Sequence, residues 1–358
     1  MLFIDNEFVN EEFMDKKDRE KVRIKAREYD EFVNEFFSNP ENLMKINDIS
    51  SVKTQIVLDD EKIFKSETEK KNNPVCAESM NDSGQPAPMD IKTEILMDDA
   101  PAQIGASSVI GKRQSQQDSV IFPDQKNMFV DEKSHFICAL SDGMGGLSGG
   151  ERASKIAVNV IFEDFYKIFK KETTNISYEK FFDCESNKIN DLVLDLTDAQ
   201  GNPIRSGATL ISAIVDGEDL YYLNIGDSRI YLFRNGNLTQ LTKDQNYLSV
   251  LMEKVAAGEI TAEQANAHPK KEALISYCGI KELTLKEINS RPLKLKANDV
   301  IMLCSDGLYR LMSTEEISSI LESTLGDMNL AAYRLTAAVN NKNYRGQDNT
   351  SVILIKIN

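Results

Sequence analysis

The sequence predicts an α+β fold, with antiparallel sheets covered by helix pairs and an N-terminal extension ahead of them. Three observations predict it. Apolar runs of strand length follow one another across tight turns, as in Thr209–Val215, Asp216-Gly217 and Leu220–Ile225, which favours hairpins. Helix-period stretches come in pairs between groups of strands, which argues against an alternating parallel sheet. A polar stretch punctuated by Pro and Gly, residues 65–101, separates this region from what precedes it.

From the beginning of the chain, Val22, Ala26, Tyr29, Val33 and Phe36 recur at spacings of four and three, and Phe32 and Phe37 widen the stripe. That spacing predicts an amphipathic helix ending near Ser38-Asn39-Pro40. Its apolar face is expected to pack on the rest of the chain or on a protein partner. Ser51–Leu58 and Glu61–Phe64 read as a small hairpin, so residues 1–64 form the extension. Residues 65–101 read as a flexible linker, with Ile91–Met97 able to add a short element. Residues 102–358 form the main domain.

In that domain strands are expected at Ser108–Ile110, Ser119–Phe122 and Ser134–Leu140. Two helices follow, Gly149–Lys170, with Ala153, Ile156, Ala157, Val160, Ile161 and Phe165 on one face, and Tyr178–Leu196. After the 209–225 hairpin, Arg229–Phe233 is a strand closed by an Asn235-Gly236 turn. Tyr247–Ala257 and Thr261–Ala267 read as helices around Gly258. Leu283–Ile288 and Val300–Cys304 return to strands, Thr314–Glu322 and Leu330–Asn340 to helices, and Ser351–Ile357 is the last strand.

The chain of 358 residues is 41% apolar, enough to bury a sizeable core. Its net charge is −15, most of it in residues 1–101, which argues against nucleic acid or an anionic membrane as partner. Five scattered cysteines without a CxxC pair read as small core thiols in a reducing compartment. Met1–Asn10 lacks a basic region and a long apolar stretch, so no secretory leader is expected, and no run reaches membrane-span length. A cytoplasmic location follows as the expectation.

With two histidines, His135 and His268, a Ser-His-Asp or Cys-His triad is poorly supplied. No GxxxxGK[ST] loop or GxSxG elbow occurs. What remains is carboxylates beside turns: Asp118, Asp142, Asp227, Asp306 and Asp348. Ser141-Asp142-Gly143-Met144-Gly145-Gly146 and Ser305-Asp306-Gly307 each follow an apolar run, and Asp348-Asn349 precedes one. Several strands handing aspartates to one sheet end make a hard-metal site suited to Mg²⁺ or Mn²⁺. Two such ions activate water for attack at phosphorus. Arg113, five residues before Asp118, offers a guanidinium fork for phosphate. Asp142, Asp306 and Asp348 could instead be strand-end turn formers, Asp118 a surface or capping residue and Arg113 a solvated charge, and Gln117 could be either a contact to a metal-bound water or turn packing.

From about Ala102 to Asn358 the chain resembles the protein phosphatase 2C family of metal-dependent Ser/Thr phosphatases, in its bacterial form. The resemblance lies in Arg113-Gln114-Ser115-Gln116-Gln117-Asp118, Ser141–Gly146 with Gly150-Glu151-Arg152-Ala153-Ser154, Gly207-Ala208-Thr209, and Gly226-Asp227-Ser228-Arg229. It continues through Leu241-Thr242-Lys243-Asp244 with a flap-like stretch Gly258–Pro269, Ser305-Asp306-Gly307-Leu308 and Gly346-Gln347-Asp348-Asn349. The order of these motifs is far more specific than any one of them. The resemblance implies a four-layer α-β-β-α sandwich of two antiparallel sheets flanked by helices. It also implies metal-dependent hydrolysis of phosphoserine and phosphothreonine in phosphoproteins, those of a cognate Ser/Thr kinase being the expected substrates.

The resemblance further implies roles. Asp142 bridges two ions, the Gly143 carbonyl joins one, Asp306 and Asp348 complete the other, Asp118 holds metal-bound water, and Arg113 binds substrate phosphate. Met144 stands where the eukaryotic form has a general-acid His, so water is implied as the proton donor to the leaving group. Arg310 departs from the family's acidic residue at that position, which with Asp227 helps hold a third ion. A weak or absent third site is therefore expected, with Arg310 free to pair with Asp227. Gln116 replaces the usual Asn. The competing reading is a catalytically weak or inactive sensor or scaffold on the same fold.

Overall fold

The computed structural model describes residues 2–4, 7–9, 100–123, 128–130, 133–145, 149–169, 177–198 and 200–358. The expected N-terminal helix, the 51–64 hairpin and nearly all of the 65–101 linker lie outside the described residues, as does Gly146. Two short strands near the beginning, β1 (Leu2–Ile4) and β2 (Glu7–Val9), pair antiparallel with each other.

The main body is built from two antiparallel sheets. The first runs in the order β11 (Asn237–Gln240), β10 (Arg229–Arg234), β14 (Val300–Cys304), β15 (Thr350–Ile357), β3 (Ala102–Val109). The second runs β12 (Glu287–Ile288), β9 (Asp219–Ile225), β8 (Leu210–Asp216), β6 (Lys133–Gly145), β4 (Asp118–Ile121). β13 (Leu293–Lys294) adds to β9, and β5 (Phe129–Val130) and β7 (Ser206–Ala208) add to β6.

Period-2 patterning explains the layering. Phe136, Cys138 and Leu140 of β6 meet Ile211 and Ala213 of β8, and Ile230, Ile301, Leu303, Ile353 and Ile355 of the other sheet, in the core between the sheets. The alternate residues Ile137 and Ala139 face outward against α1 (Gly149–Phe169) and α2 (Tyr178–Leu194). Tyr231, Met302, Val352 and Leu354 face outward from the first sheet. They pack under α6 (Thr314–Ser323) and α7 (Met328–Asn341), with Leu308 of α5 (Asp306–Tyr309) beside them. Both faces of these central strands are covered, which is why the runs are continuously apolar. The result is α-β-β-α layering.

Two further helices, α3 (Tyr247–Ala256) and α4 (Ala262–Ala267), lie in the excursion between β11 and β12. Asn246 caps α3, and Thr261 forms a capping box with Gln264 on α4.

Some expectations change. The apolar run at 134–140 does not end before the glycine-rich motif: β6 continues to Gly145, because Asp142 pairs across to Asp118 and Gly143 to Ala208. Only Glu287–Ile288 of the expected 283–288 strand pairs, and Asp306 opens a short helix where no helix was expected.

Candidate active site

The sandwich delivers its chemistry at one end. β4 begins with Asp118, directly opposite Asp142 of β6 in the ladder. Asp227 lies in the turn between β9 and β10, Asp306 opens α5 after β14, and Asp348 precedes β15. Asp118, Asp227 and Asp306 are buried, at 5%, 4% and 9% exposure, too deep for unpaired charges unless something compensates them. Asp142 feels the charges of the other four.

Local architecture fixes each carboxylate. The Ser305 hydroxyl donates to Asp118 Oδ2 at 2.8 Å, while Ser351 N–H donates to Ser305 Oγ at 3.0 Å, tying the first sheet to the second. The Asp142 N–H donates to Thr209 Oγ1 at 2.9 Å. Gly143 is obligatory at its place, since a Cβ there would stand 2.0 Å from the Gly150 carbonyl oxygen at the start of α1. A Cβ on Gly307 would meet the Asn349 carbonyl oxygen at 2.1 Å.

Asn349 is the joint of the site. Its Oδ1 accepts from Gln117 N–H at 2.8 Å, and its Nδ2 donates to the carbonyls of Ile110 and Ser115. That pins the Arg113 loop against the start of β15. Sequence reasoning noted Asn349 only beside Asp348; an Asn closing the Gly346–Asn349 turn is the available signal, and its burial is visible only in the fold. Gln117 is packed into the turn: its Nε2 donates to the Gly145 carbonyl at 3.0 Å, and its carbonyl accepts from Gly143 N–H at 3.0 Å.

The electrostatics show excess negative charge. Burial, reinforced by the neighbouring carboxylates, pushes Asp142 well above its usual range. Burial also raises Asp118 to about 6 and Asp306 to about 7, although Ser305 and Arg310 respectively pull them down. Asp227 is raised by burial, with Arg310 again opposing. Asp118 Oδ1 and Asp306 Oδ1 are buried without a hydrogen-bond partner. Two arginines meet part of the demand. Arg113 Nη2 lies 2.5 Å from Asp348 Oδ2. Arg310 contacts Asp306 Oδ2 through Nε at 2.9 Å, Asp227 Oδ2 through Nη2 at 3.4 Å and Glu272 Oε2 through Nη1 at 2.7 Å.

With carboxylates held by these arginines, no three Asp, Glu, His or Cys side chains among the described residues converge at ligating distance. The donor set still fits hard cations. It is all oxygen, it carries two orphaned buried carboxylate oxygens, and its charges repel one another.

The structure thus brings together Arg113, Asp118, Asp142, Asp227, Asp306 and Asp348, and adds Glu272, which a Lys270-Lys271-Glu272 stretch gave no reason to single out. The histidines serve elsewhere. His135 meets the Tyr178 hydroxyl at 2.9 Å and Phe165, and His268 accepts from Lys270 N–H and lies tilted against Tyr247. The described cysteines are free thiols; Cys138, Cys278 and Cys304 are buried, and Cys76 lies outside the described residues. No described helix is long and apolar enough to cross a membrane.

Comparison with known proteins places this geometry in context. The sequence model of the family described as protein phosphatase 2C matches residues 105–337. The chain is 32% identical over 252 residues to protein phosphatase PhpP of Streptococcus pneumoniae, covering 69% of this chain and 94% of that one. It is 30% identical over 239 residues to serine/threonine phosphatase stp of Listeria welshimeri, covering 66% and 90%. Among solved structures it resembles the catalytic domain of the Ser/Thr protein phosphatase PstP in complex with two manganese ions. That likeness has a TM-score of 0.54 and 27% identity, over 72% of this chain and 98% of that one.

Proposed function

The chain belongs to the protein phosphatase 2C family and is a divalent-metal-dependent protein-serine/threonine phosphatase; from that premise we propose how its own residues carry the reaction. Asp142, the Gly143 carbonyl, Asp306 and Asp348 would hold two Mg²⁺ or Mn²⁺ ions. When bound, the ions supply Lewis acidity, activating the attacking water and taking up phosphate charge. The observation that carries this reading is the placing of these aspartates at one end of the sandwich from separate strand ends, with Asp118 Oδ1 and Asp306 Oδ1 buried and unbonded.

The residues divide the remaining work. Asp118, fixed through Oδ2 by Ser305, presents Oδ1 to accept a hydrogen bond from the attacking water and orient it. Arg113 is half-exposed and, among the described residues, ion-paired with Asp348. A cation on Asp348 would leave the guanidinium free to fork two phosphate oxygens. Met144 has no proton to give, so protonation of the leaving serine or threonine oxygen falls to water.

Arg310 supports a weak or absent third ion site beside Asp227, because it supplies a cation 3.4 Å from Asp227 Oδ2 where the family has an acidic ligand. Phosphoproteins made by a cognate Ser/Thr kinase would be the substrates, and free described thiols suit the cytoplasm. The observation that favours a second reading, a sensor or scaffold with little turnover, is that Arg310 occupies both Asp306 and Asp227.

The deciding experiment is hydrolysis of a phosphothreonine peptide with and without Mn²⁺. Turnover that needs the ion and disappears in Asp306→Asn is the expected result. Ion binding by calorimetry without turnover would favour the sensor.

A further inference from the structure

The Arg310 guanidinium does more than neutralise one acid. Three of its donors reach carboxylates on three different parts of the chain. Asp306 opens α5, Asp227 sits in the β9–β10 turn, and Glu272 belongs to the excursion that carries α3 and α4. The base of that excursion is tied together by its own backbone: Tyr247 N–H donates to the Ala273 carbonyl, Leu248 N–H to the Lys271 carbonyl, and Ile275 N–H to the Gln245 carbonyl. Whatever holds Glu272 therefore also holds the start of α3. Asn246 reaches Asp227 as well, so the same base touches the acid cluster at a second point.

The two ends of the arginine bridge differ in strength. Asp306 and Asp227 are buried, while the Glu272 side chain is 59% exposed. The Glu272 contact is thus a weak, breakable grip, and its geometry depends on where the buried carboxylates hold the guanidinium. Asp306 Oδ2, the atom that Nε contacts, belongs to a carboxylate for which a cation would compete.

We propose that Arg310 is a positioning residue that couples occupation of Asp306 by a divalent cation to release of the 246–275 segment; the proposal rests on the assignment of Asp306 as a metal ligand. Without a cation the guanidinium spans Asp306, Asp227 and Glu272 and clasps the segment against the acid cluster. A cation taken by Asp306 repels the guanidinium and removes its Nε partner. The bridge to Glu272 then loses the nearer of its two buried anchors and keeps only the longer 3.4 Å contact with Asp227. The segment beside the site loosens as the site becomes competent, which opens the way for a phosphorylated protein loop rather than only a small phosphate ester.

The test is hydrogen exchange on the full chain, with and without Mn²⁺, followed in peptides covering 246–250 and 271–275, with calorimetry to register ion binding. In the wild-type chain Mn²⁺ should speed exchange there about two- to fivefold, the range an exposed ion pair can account for. In Glu272→Gln the metal-free segment should already exchange at the faster rate and respond no further to Mn²⁺, with ion affinity tightened about two- to fivefold because the coupling is reciprocal. Arg310→Lys should behave like Glu272→Gln, because an ammonium cannot span three carboxylates. Exchange that ignores or slows with Mn²⁺ while calorimetry registers binding, or a Glu272→Gln chain that responds like wild type, overturns the proposal. Mn²⁺-dependent turnover alongside such a result would leave the phosphatase reading intact. No ion binding at all would overturn both.

Discussion

Asp118 shows what a single buried carboxyl does here. Its pKa is raised to about 6, chiefly by burial, so in the folded, metal-free protein its ionisation is disfavoured relative to the unfolded chain. The unfolded state then binds fewer protons between about pH 4 and 6, and stability falls as pH rises through that window. In chelator-treated protein Asp118→Asn should therefore be neutral near pH 4 and more stable than wild type above pH 7, by about 1–3 kcal/mol. Urea denaturation at the two pH values would check it, and a pH-independent difference would refute the electrostatic account. Arg113 gives a prediction of a different kind. Lysine keeps its charge but loses the fork, so Arg113→Lys should raise KM for a phosphopeptide and lower kcat/KM about tenfold or more. Steady-state kinetics at saturating Mn²⁺ would read this, and an unchanged KM would remove Arg113 from the phosphate.

At the scale of elements, the site depends on backbones that approach too closely for a side chain. α5 runs against the start of β15 at Gly307, where a Cβ would stand 2.1 Å from the Asn349 carbonyl oxygen. The nearest atom is backbone, so Gly307→Ala must push backbone apart. A loss of about 2–4 kcal/mol is expected, as for overpacked or strained core positions, and thermal denaturation would measure it. Asn349→Ala should act differently. It frees the Arg113 loop, leaving the Gln117 N–H and two carbonyls without their partner, at a cost of about 1–3 kcal/mol. Its phosphopeptide KM should rise along with the lost stability.

For the whole molecule, β3 and β15 join the beginning of the described main body to its last residues. β3 pairs with β15 over its full length, Ala102 opposite Ile357, and Asn358 N–H donates to the Pro101 carbonyl. A chain beginning at residue 100 should fold and keep Mn²⁺-dependent turnover. One beginning at residue 111 loses an edge strand and the cover it gives Ile353 and Ile355, and should fail to give a cooperative melt. Failure of the first chain would place part of residues 1–99 inside the folding unit.

By itself the sequence determined the layered α+β class, because strand runs apolar on both faces and amphipathic helices leave few other ways to bury their surfaces. It also determined which aspartates to consider, since Asp142, Asp306 and Asp348 stand beside Gly or Asn at the ends of apolar runs. Tertiary structure alone decided the pairing of Asp118 with Asp142 inside a continued β6, because register depends on the partner strand. It alone revealed Asn349 as the joint of the Arg113 loop and Glu272 as the third partner of Arg310. Those contacts join residues tens to hundreds of positions apart, and no local periodicity records a neighbour that only the fold brings close.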